Sequence, residues 1–354
     1  MTAISRRIEA PRVAAQDPGA VAPRLLAWYD RHARAMPWRV GPGKKATGTR
    51  PDPYRTWLSE VMLQQTTVAT VTPRFQAFVD RWPTVQALAR APREDVLAEW
   101  AGLGYYARAR NLHACARAVA EDHGGRFPDT EDGLRSLPGV GAYTAAAVAA
   151  IAFDRRSTVV DGNVERVVAR LFAVTDPMPG VKPRLAALAA TMTPDRRPGD
   201  FAQAMMDLGA TVCTPRRANC TVCPLIDLCA GRADGIAETL PVKAKKAQKQ
   251  LRHGIAYAGF DARGRIGTVI RPETGLLAGM RALPTTEWGT APSPSPPFAA
   301  QWSEAGAITH VFTHFRLELT VMRADVATLA APMTVEAARR AMPTVFRKAL
   351  ERAL

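Results

Sequence analysis

The chain has 354 residues, 47% hydrophobic and 22% charged, enough for two packed domains and unlike a chain disordered throughout. Its 47 Lys and Arg exceed 32 Asp and Glu, a formal charge of +15 that makes a polyanion, nucleic acid first, the expected partner. The longest apolar run, residues 143–153, falls short of the roughly 18 residues of a membrane helix and no N-terminal apolar leader is seen, so a soluble cytoplasmic protein with no membrane partner is expected.

In chain order, residues 1–22 are polar, Ala- and Pro-rich and aperiodic, the pattern of a mobile tail. Residues 23–232 carry apolar side chains at three- and four-residue spacing, which predicts an all-α domain. Its helices break at the Gly/Pro/Lys stretch 41–53, at Pro92, at Gly124 and Gly125, and at 138–141. Residues 233–252 are basic without an apolar face and read as a linker. Residues 253–354 predict a smaller α+β domain, with strands at 254–260, 267–271 and 315–322, a Pro-rich loop at 291–298 and helices in 333–354.

Four features carry chemistry. Glu60 interrupts the apolar helix Trp57-Leu-Ser-Glu-Val-Met-Leu-Gln-Gln-Thr66. On a solvated face it is ordinary; facing a cleft with apolar walls, desolvation would keep it protonated near neutral pH. Leu137-Pro-Gly-Val-Gly-Ala-Tyr-Thr144 joins two helices in a hairpin, in which Gly139 and Gly141 can take positive φ and leave room for a phosphate at the next helix N-terminus. Asp161 precedes the apolar helix Gly-Asn-Val-Glu-Arg-Val-Val and is in the first place an N-cap; the same donors favour its charged form, fit to stabilise a cation. An acid paired with an ionised partner is what cleavage of an N-glycosidic bond requires. Finally Cys213, Cys220, Cys223 and Cys229 form a complete ligand set for tetrahedral zinc or a cubane iron–sulfur cluster; one close pair between two wider gaps is unlike the two short pairs of most structural zinc sites. The fifth cysteine, Cys115, reads as a small buried hydrophobe.

The hairpin, the Val-Asp-Gly-Asn-Val-Glu-Arg segment and the cysteine loop, in this order, resemble the endonuclease III superfamily of DNA glycosylases. Pro37-Trp-Arg39, the 57–66 string and Gly102-Leu-Gly-Tyr-Tyr-Ala-Arg-Ala-Arg-Asn111 resemble its adenine DNA glycosylase (MutY) branch. The resemblance implies a helix-hairpin-helix core with a 4Fe-4S cluster on the four cysteines, followed by a Nudix-like lesion-recognition domain. The implied partner is double-stranded DNA with adenine opposite 8-oxoguanine or guanine, bound by a monomer in the cytoplasm, or at the nucleoid if the source is bacterial.

By the same resemblance Glu60 protonates adenine N7, Asp161 stabilises or traps the C1′ cation and Asn163 supports it. Trp38, Arg39, Leu63 and Gln203 line the adenine pocket, and Gln65 and Tyr105 wedge into the base stack. Thr313 and His314, after Phe312, match a loop that reads 8-oxoguanine, although the family pattern has serine where Thr313 stands. The stretch 275–284 lacks the paired glutamates of a true Nudix box, so magnesium and pyrophosphate hydrolysis are not expected. Tyr143 stands where lyase relatives carry a lysine; a phenol cannot form an imine, so a monofunctional enzyme is expected. A pyrimidine-lesion glycosylase/lyase would need that lysine, and a non-catalytic iron–sulfur DNA-binding module would leave Glu60 and Asp161 unused.

Overall fold

A computed structural model describes residues 17–244, 249–272, 274–312 and 314–354. The chain divides into a unit ending at residue 244 and a second beginning at residue 245.

The first unit is helical, as its periodicity predicts. The helices that shape the site are Val21–His32, Pro53–Leu63, Ala107–Asp122, Ala142–Phe153, Gly162–Leu171 and Pro198–Thr211. Their starts follow local chemistry: Asp52 caps the Tyr54 N–H ahead of a proline at the first helical turn, and Asp161 caps Asn163 and Val164. Two apolar cores form. One gathers Leu25, Tyr29, Val168, Leu185 and Met205; the other gathers Trp57, Phe75, Phe78, Trp100 and Leu112.

The helix Ala142–Phe153 is the wall the two cores share, with Ala146, Ala147 and Ala150 in one and Ala145, Val148 and Ala149 in the other. Being packed on both faces, it has no polar stripe, and alanine lets its neighbours approach closely. A Cβ at Gly199 would lie 2.3 Å from the Ala150 carbonyl oxygen, so the Pro198–Thr211 helix crosses it backbone against backbone. In its first turn Tyr143 faces Glu60 of the Pro53–Leu63 helix.

Two sequence-based boundaries shift. The described part of the expected 1–22 tail is folded: Asp17 caps a short 3₁₀ turn, Pro18–Ala20, and Val21 and Ala22 begin a helix and are buried. The start of the expected 233–252 linker belongs to the helical unit, because Ala237 and Leu240 are buried, Arg170 Nε donates to the Leu240 carbonyl at 3.1 Å, and Lys243 pairs with Met178. The linker's basic composition hid these few apolar anchors.

In the second unit the strand Gln250–Phe260 runs parallel to Phe315–Asp325, which pairs antiparallel with Ser303–Val311. Helices Val335–Ala341 and Thr344–Ala353 contribute Ala338, Phe346 and Leu350 to a core with Leu317, Leu319 and Val321. Val269–Ile270 pairs with Arg281–Ala282 in a small ribbon. The sequence pattern gives no strand at 303–311, where two alanines and a glycine lower the strand propensity and Gly306 introduces a bulge at φ +119°. Pairing along the central strand, a non-local effect, makes that segment extended.

Candidate active site

Glu60, Tyr143 and Asp161 come together from three helices. Glu60 is 7% exposed, and the Tyr143 hydroxyl donates to its Oε2 at 2.8 Å. Burial pushes the Glu60 carboxyl above its ordinary range; the Tyr143 hydrogen bond and the positive charge of Arg39 pull it back, while the charge of Asp161 adds to the rise. Burial also raises Tyr143, aided by Glu60 and Asp161, so the phenol stays neutral and a donor. Glu60 Oε1 has no hydrogen-bond partner among the described residues.

Asp161 accepts three hydrogen bonds. Its Oδ1 takes the N–H groups of Asn163 at 2.9 Å and Val164 at 2.8 Å, and its Oδ2 takes Asn163 Nδ2 at 2.8 Å. The N-cap reading of Asp161 holds, and its carboxylate also lines a cavity. Asn163 is held in turn by Arg166, whose Nη2 donates to Asn163 Oδ1 at 2.9 Å and to the Gly209 carbonyl at 2.7 Å, while its Nε donates to the Cys213 carbonyl at 2.8 Å.

These groups open onto a cavity of about 460 Å³ whose wall also includes Arg34, Trp38, Arg39 and Leu63. Trp38 stands edge-on to Phe75, with ring centroids 5.2 Å apart. Behind the two arginines lies Asp207, fully buried: Arg39 Nη1 meets its two oxygens at 2.9 and 2.8 Å, and Arg34 meets it through Nε at 2.6 Å and its backbone N–H at 3.1 Å. No local motif singled out Asp207. Gln203, expected on the pocket wall, is not on it; Met206 and Ala210 of the same helix are. Gln203 is 2% exposed, its Nε2 donates to the Gly199 carbonyl at 3.3 Å, and its Oε1 is buried without a donor.

Gln65 and Tyr105 both adopt the left-handed region, at φ 55° and 48°, and Tyr105 is 63% exposed. Their two loops are tied together by Arg108, another residue that sequence reasoning missed. Its Nη1 donates to the carbonyls of Val61 and Gln64 at 3.0 and 2.5 Å, and its Nη2 to that of Leu103 at 2.7 Å. In the hairpin only Gly139 has positive φ, +72°, and a Cβ there would lie 2.5 Å from Asn111 Cβ. Gly141 corrects the expectation of two positive angles: its φ is −85°, it caps the next helix, and a Cβ would meet nothing within 4 Å. That open space is on the exposed side, where a phosphate would approach.

Residues 58–187 match the HhH-GPD superfamily base excision DNA repair protein family, and residues 256–352 match the NUDIX domain family. The human adenine DNA glycosylase is 37% identical over 84% of this chain and 65% of its own length, and that of Mycolicibacterium smegmatis is 41% identical over 71% and 80%. The chain belongs to the adenine DNA glycosylase family. This family's enzymes are hydrolases of N-glycosyl bonds. The helical fold is that of a solved thermostable thymine-DNA glycosylase, with 28% identity and a TM-score of 0.54 over 62% of this chain and 99% of the other. The chain spans about two thirds of the length of the human family member.

A cluster is expected of a family member on the four cysteines. All four line one small cavity of about 30 Å³, beside Arg170. Arg170 is 2% exposed, with Nη1 on Cys213 Sγ at 3.3 Å and on the Thr214 carbonyl at 2.8 Å; a buried cation aimed at sulfur suits a site of thiolates. Burial pushes the Cys223 thiol up to about 11, so the thiolate needs a compensating positive centre. Among the described residues no three of His, Cys, Asp and Glu are grouped to hold a single metal ion. Four cysteine thiols on one cavity, with a buried guanidinium on the sulfur of Cys213, are a donor set of the kind an iron–sulfur cluster takes.

In the Nudix-like unit, Phe312 packs against Trp288, Phe315 and His310, and the neighbouring His314 is exposed. Thr313, the other expected lesion reader, lies outside the described residues.

Proposed function

We propose that this chain removes adenine opposite 8-oxoguanine or guanine in duplex DNA by hydrolysis, leaving an abasic site. The observation that carries this reading is the buried Glu60 carboxyl, raised by desolvation, oriented by Tyr143 and set across the cavity from a triply hydrogen-bonded Asp161.

In the proposed reaction Glu60, as the carboxylic acid, gives its proton to N7 of the extruded adenine, and the C1′–N9 bond breaks with its electrons going to the base. Asp161 faces the positive charge left at C1′ and stabilises it, held in place by Asn163. Water then adds its oxygen to C1′ and returns a proton to Glu60, which restores the acid. Tyr143 keeps Glu60 Oε2 occupied so that the proton resides on Oε1. Trp38, Arg39 and Leu63 confine the base. Gln65 and Tyr105 occupy the space the base vacates, and the hairpin at Gly139 and Gly141 takes a backbone phosphate. In the second unit the exposed His314, with Thr313, reads the lesion opposite. Cys213, Cys220, Cys223 and Cys229, as thiolates, would hold a 4Fe-4S cluster, whose positive irons would compensate their charge and order the loop.

The test is a single-turnover assay on duplex with adenine opposite 8-oxoguanine, resolved with and without alkali. Strand breaks only after alkali are expected; breaks without alkali would require an amine nucleophile and sink the monofunctional reading. Asp161→Asn, which retains a capping side chain, should abolish base release and leave duplex affinity nearly intact. Lost affinity with undiminished chemistry would contradict the role given to Asp161.

A further inference from the structure

Two guanidiniums, Arg34 and Arg39, line the cavity that holds Glu60, and one fully buried carboxylate, Asp207, engages both. Arg39 spends only Nη1 on it; its Nε and Nη2 have no partner among the described residues. The Asp207 side chain has no exposure of its own and touches no cavity space, so it acts on a bound base only through the arginines.

We infer that Asp207 is a positioning residue for the reaction: it fixes Arg39 beside Glu60 with its free donors toward the base, and it cancels one of the two positive charges that the acid and the C1′ cation would otherwise meet. The inference rests on the adenine-release reading for its substrate, although the charge balance at Glu60 stands without it.

The physical argument is one of sign. Two guanidiniums with no counter-ion would favour the Glu60 carboxylate over the acid, and so remove the proton the leaving base needs. They would also repel the positive charge that develops at C1′, in a site where burial strengthens every charge. The groups facing Glu60 are Tyr143 from the Ala142–Phe153 helix, Asp161 from the cap of Gly162–Leu171 and Arg39 from the segment before Pro53–Leu63, with Arg34 and Asp207 behind. Arg39 lowers the Glu60 carboxyl even with Asp207 beside it. Removing the Asp207 charge uncovers more of that pull.

The test compares Asp207→Asn and Asp207→Glu in the full-length, cluster-loaded protein. The single-turnover rate of adenine release is followed against pH, and the Glu60 carboxyl is titrated separately by isotope-edited infrared difference, with Glu60→Gln as the blank. Asp207→Asn should move the alkaline limb of the rate and the Glu60 midpoint to lower pH by about one unit, a roughly tenfold loss of rate above that limb. Asp207→Glu should restore both. A limb and midpoint that stay in place, whatever the height of the profile, would make Asp207 merely structural and overturn the inference. If Asp207→Asn does not fold, Arg39→Gln should move the midpoint upward; an unmoved midpoint again overturns it. Should the wild-type protein release no adenine, the functional reading fails, while the infrared midpoint still decides the role of Asp207.

Discussion

A carboxylic acid that gives up a proton near neutral pH has to be kept from ionising first, and at Glu60 the means is burial. The same burial makes Glu60 a liability for folding. Its folded-state pKa stands above the ordinary 4.5, so the neutral form contributes stability that is fully present at acid pH and is lost as pH rises through the raised value. Glu60→Gln removes that titration. The variant should lose about 10²- to 10⁴-fold in the rate of adenine release, yet melt higher than wild type at alkaline pH, with the gap closing as the pH is lowered. Differential scanning calorimetry at several pH values checks the second half, and a gap that does not vary with pH would mean that Glu60 is not desolvated. Glu60 was legible because a charged residue in an apolar helical string is conspicuous. Asp207 was not: its partner Arg39 is 168 residues away, and an aspartate in the Pro198–Thr211 helix looks like any surface carboxylate until tertiary packing buries it.

Helices place these groups, and glycines set how closely the helices approach. A Cβ at Gly209 would lie 2.6 Å from Asn163 Cβ, so the Pro198–Thr211 helix touches the first turn of Gly162–Leu171 beside the residue that holds Asp161. Gly209→Ala should therefore destabilise by about 1–3 kcal/mol and, by displacing Asn163, slow adenine release roughly tenfold. Thermal melting and single-turnover rates measure the two effects; a lower melting point at unchanged rate would disconnect the packing from Asp161. The helices themselves were readable from periodicity and caps. Two features were not. The strand Ser303–Val311 takes its conformation from its neighbour, and the Arg108 fork joins carbonyls from two loops some forty residues apart, a relation no local pattern encodes.

For the whole molecule, charge and the cysteine loop govern behaviour. With a net charge of +15, duplex affinity should fall steeply with salt. Arg216 and Arg217 are exposed between the first two cysteines. Replacing both by alanine should flatten the slope of log affinity against log salt by about two; an unchanged slope would remove them from the interface. Purified protein should contain about four irons per chain, and Cys220→Ala should accelerate hydrogen exchange across residues 213–232, where Arg170 would be left among incompletely neutralised partners. Exchange unchanged from wild type would show that the loop orders itself without a metal centre. The division into a helical and an α+β part was visible in the change of period near residue 253. Its edges were less so, because the sparse buried side chains at 237–240 sit in a basic stretch that looks like linker.

The helix Ala142–Phe153, wedged between two cores, also bears on how this chain can vary. A larger residue at Ala146 or Ala149 cannot be accommodated by shifting the helix, since movement away from one core is movement into the other. A library of random variants should therefore be depleted along this helix more severely than along Ala107–Asp122, which has an outer face to yield toward. The segment that bears Tyr143 is thus less evolvable than the Ala107–Asp122 helix, for reasons of space alone.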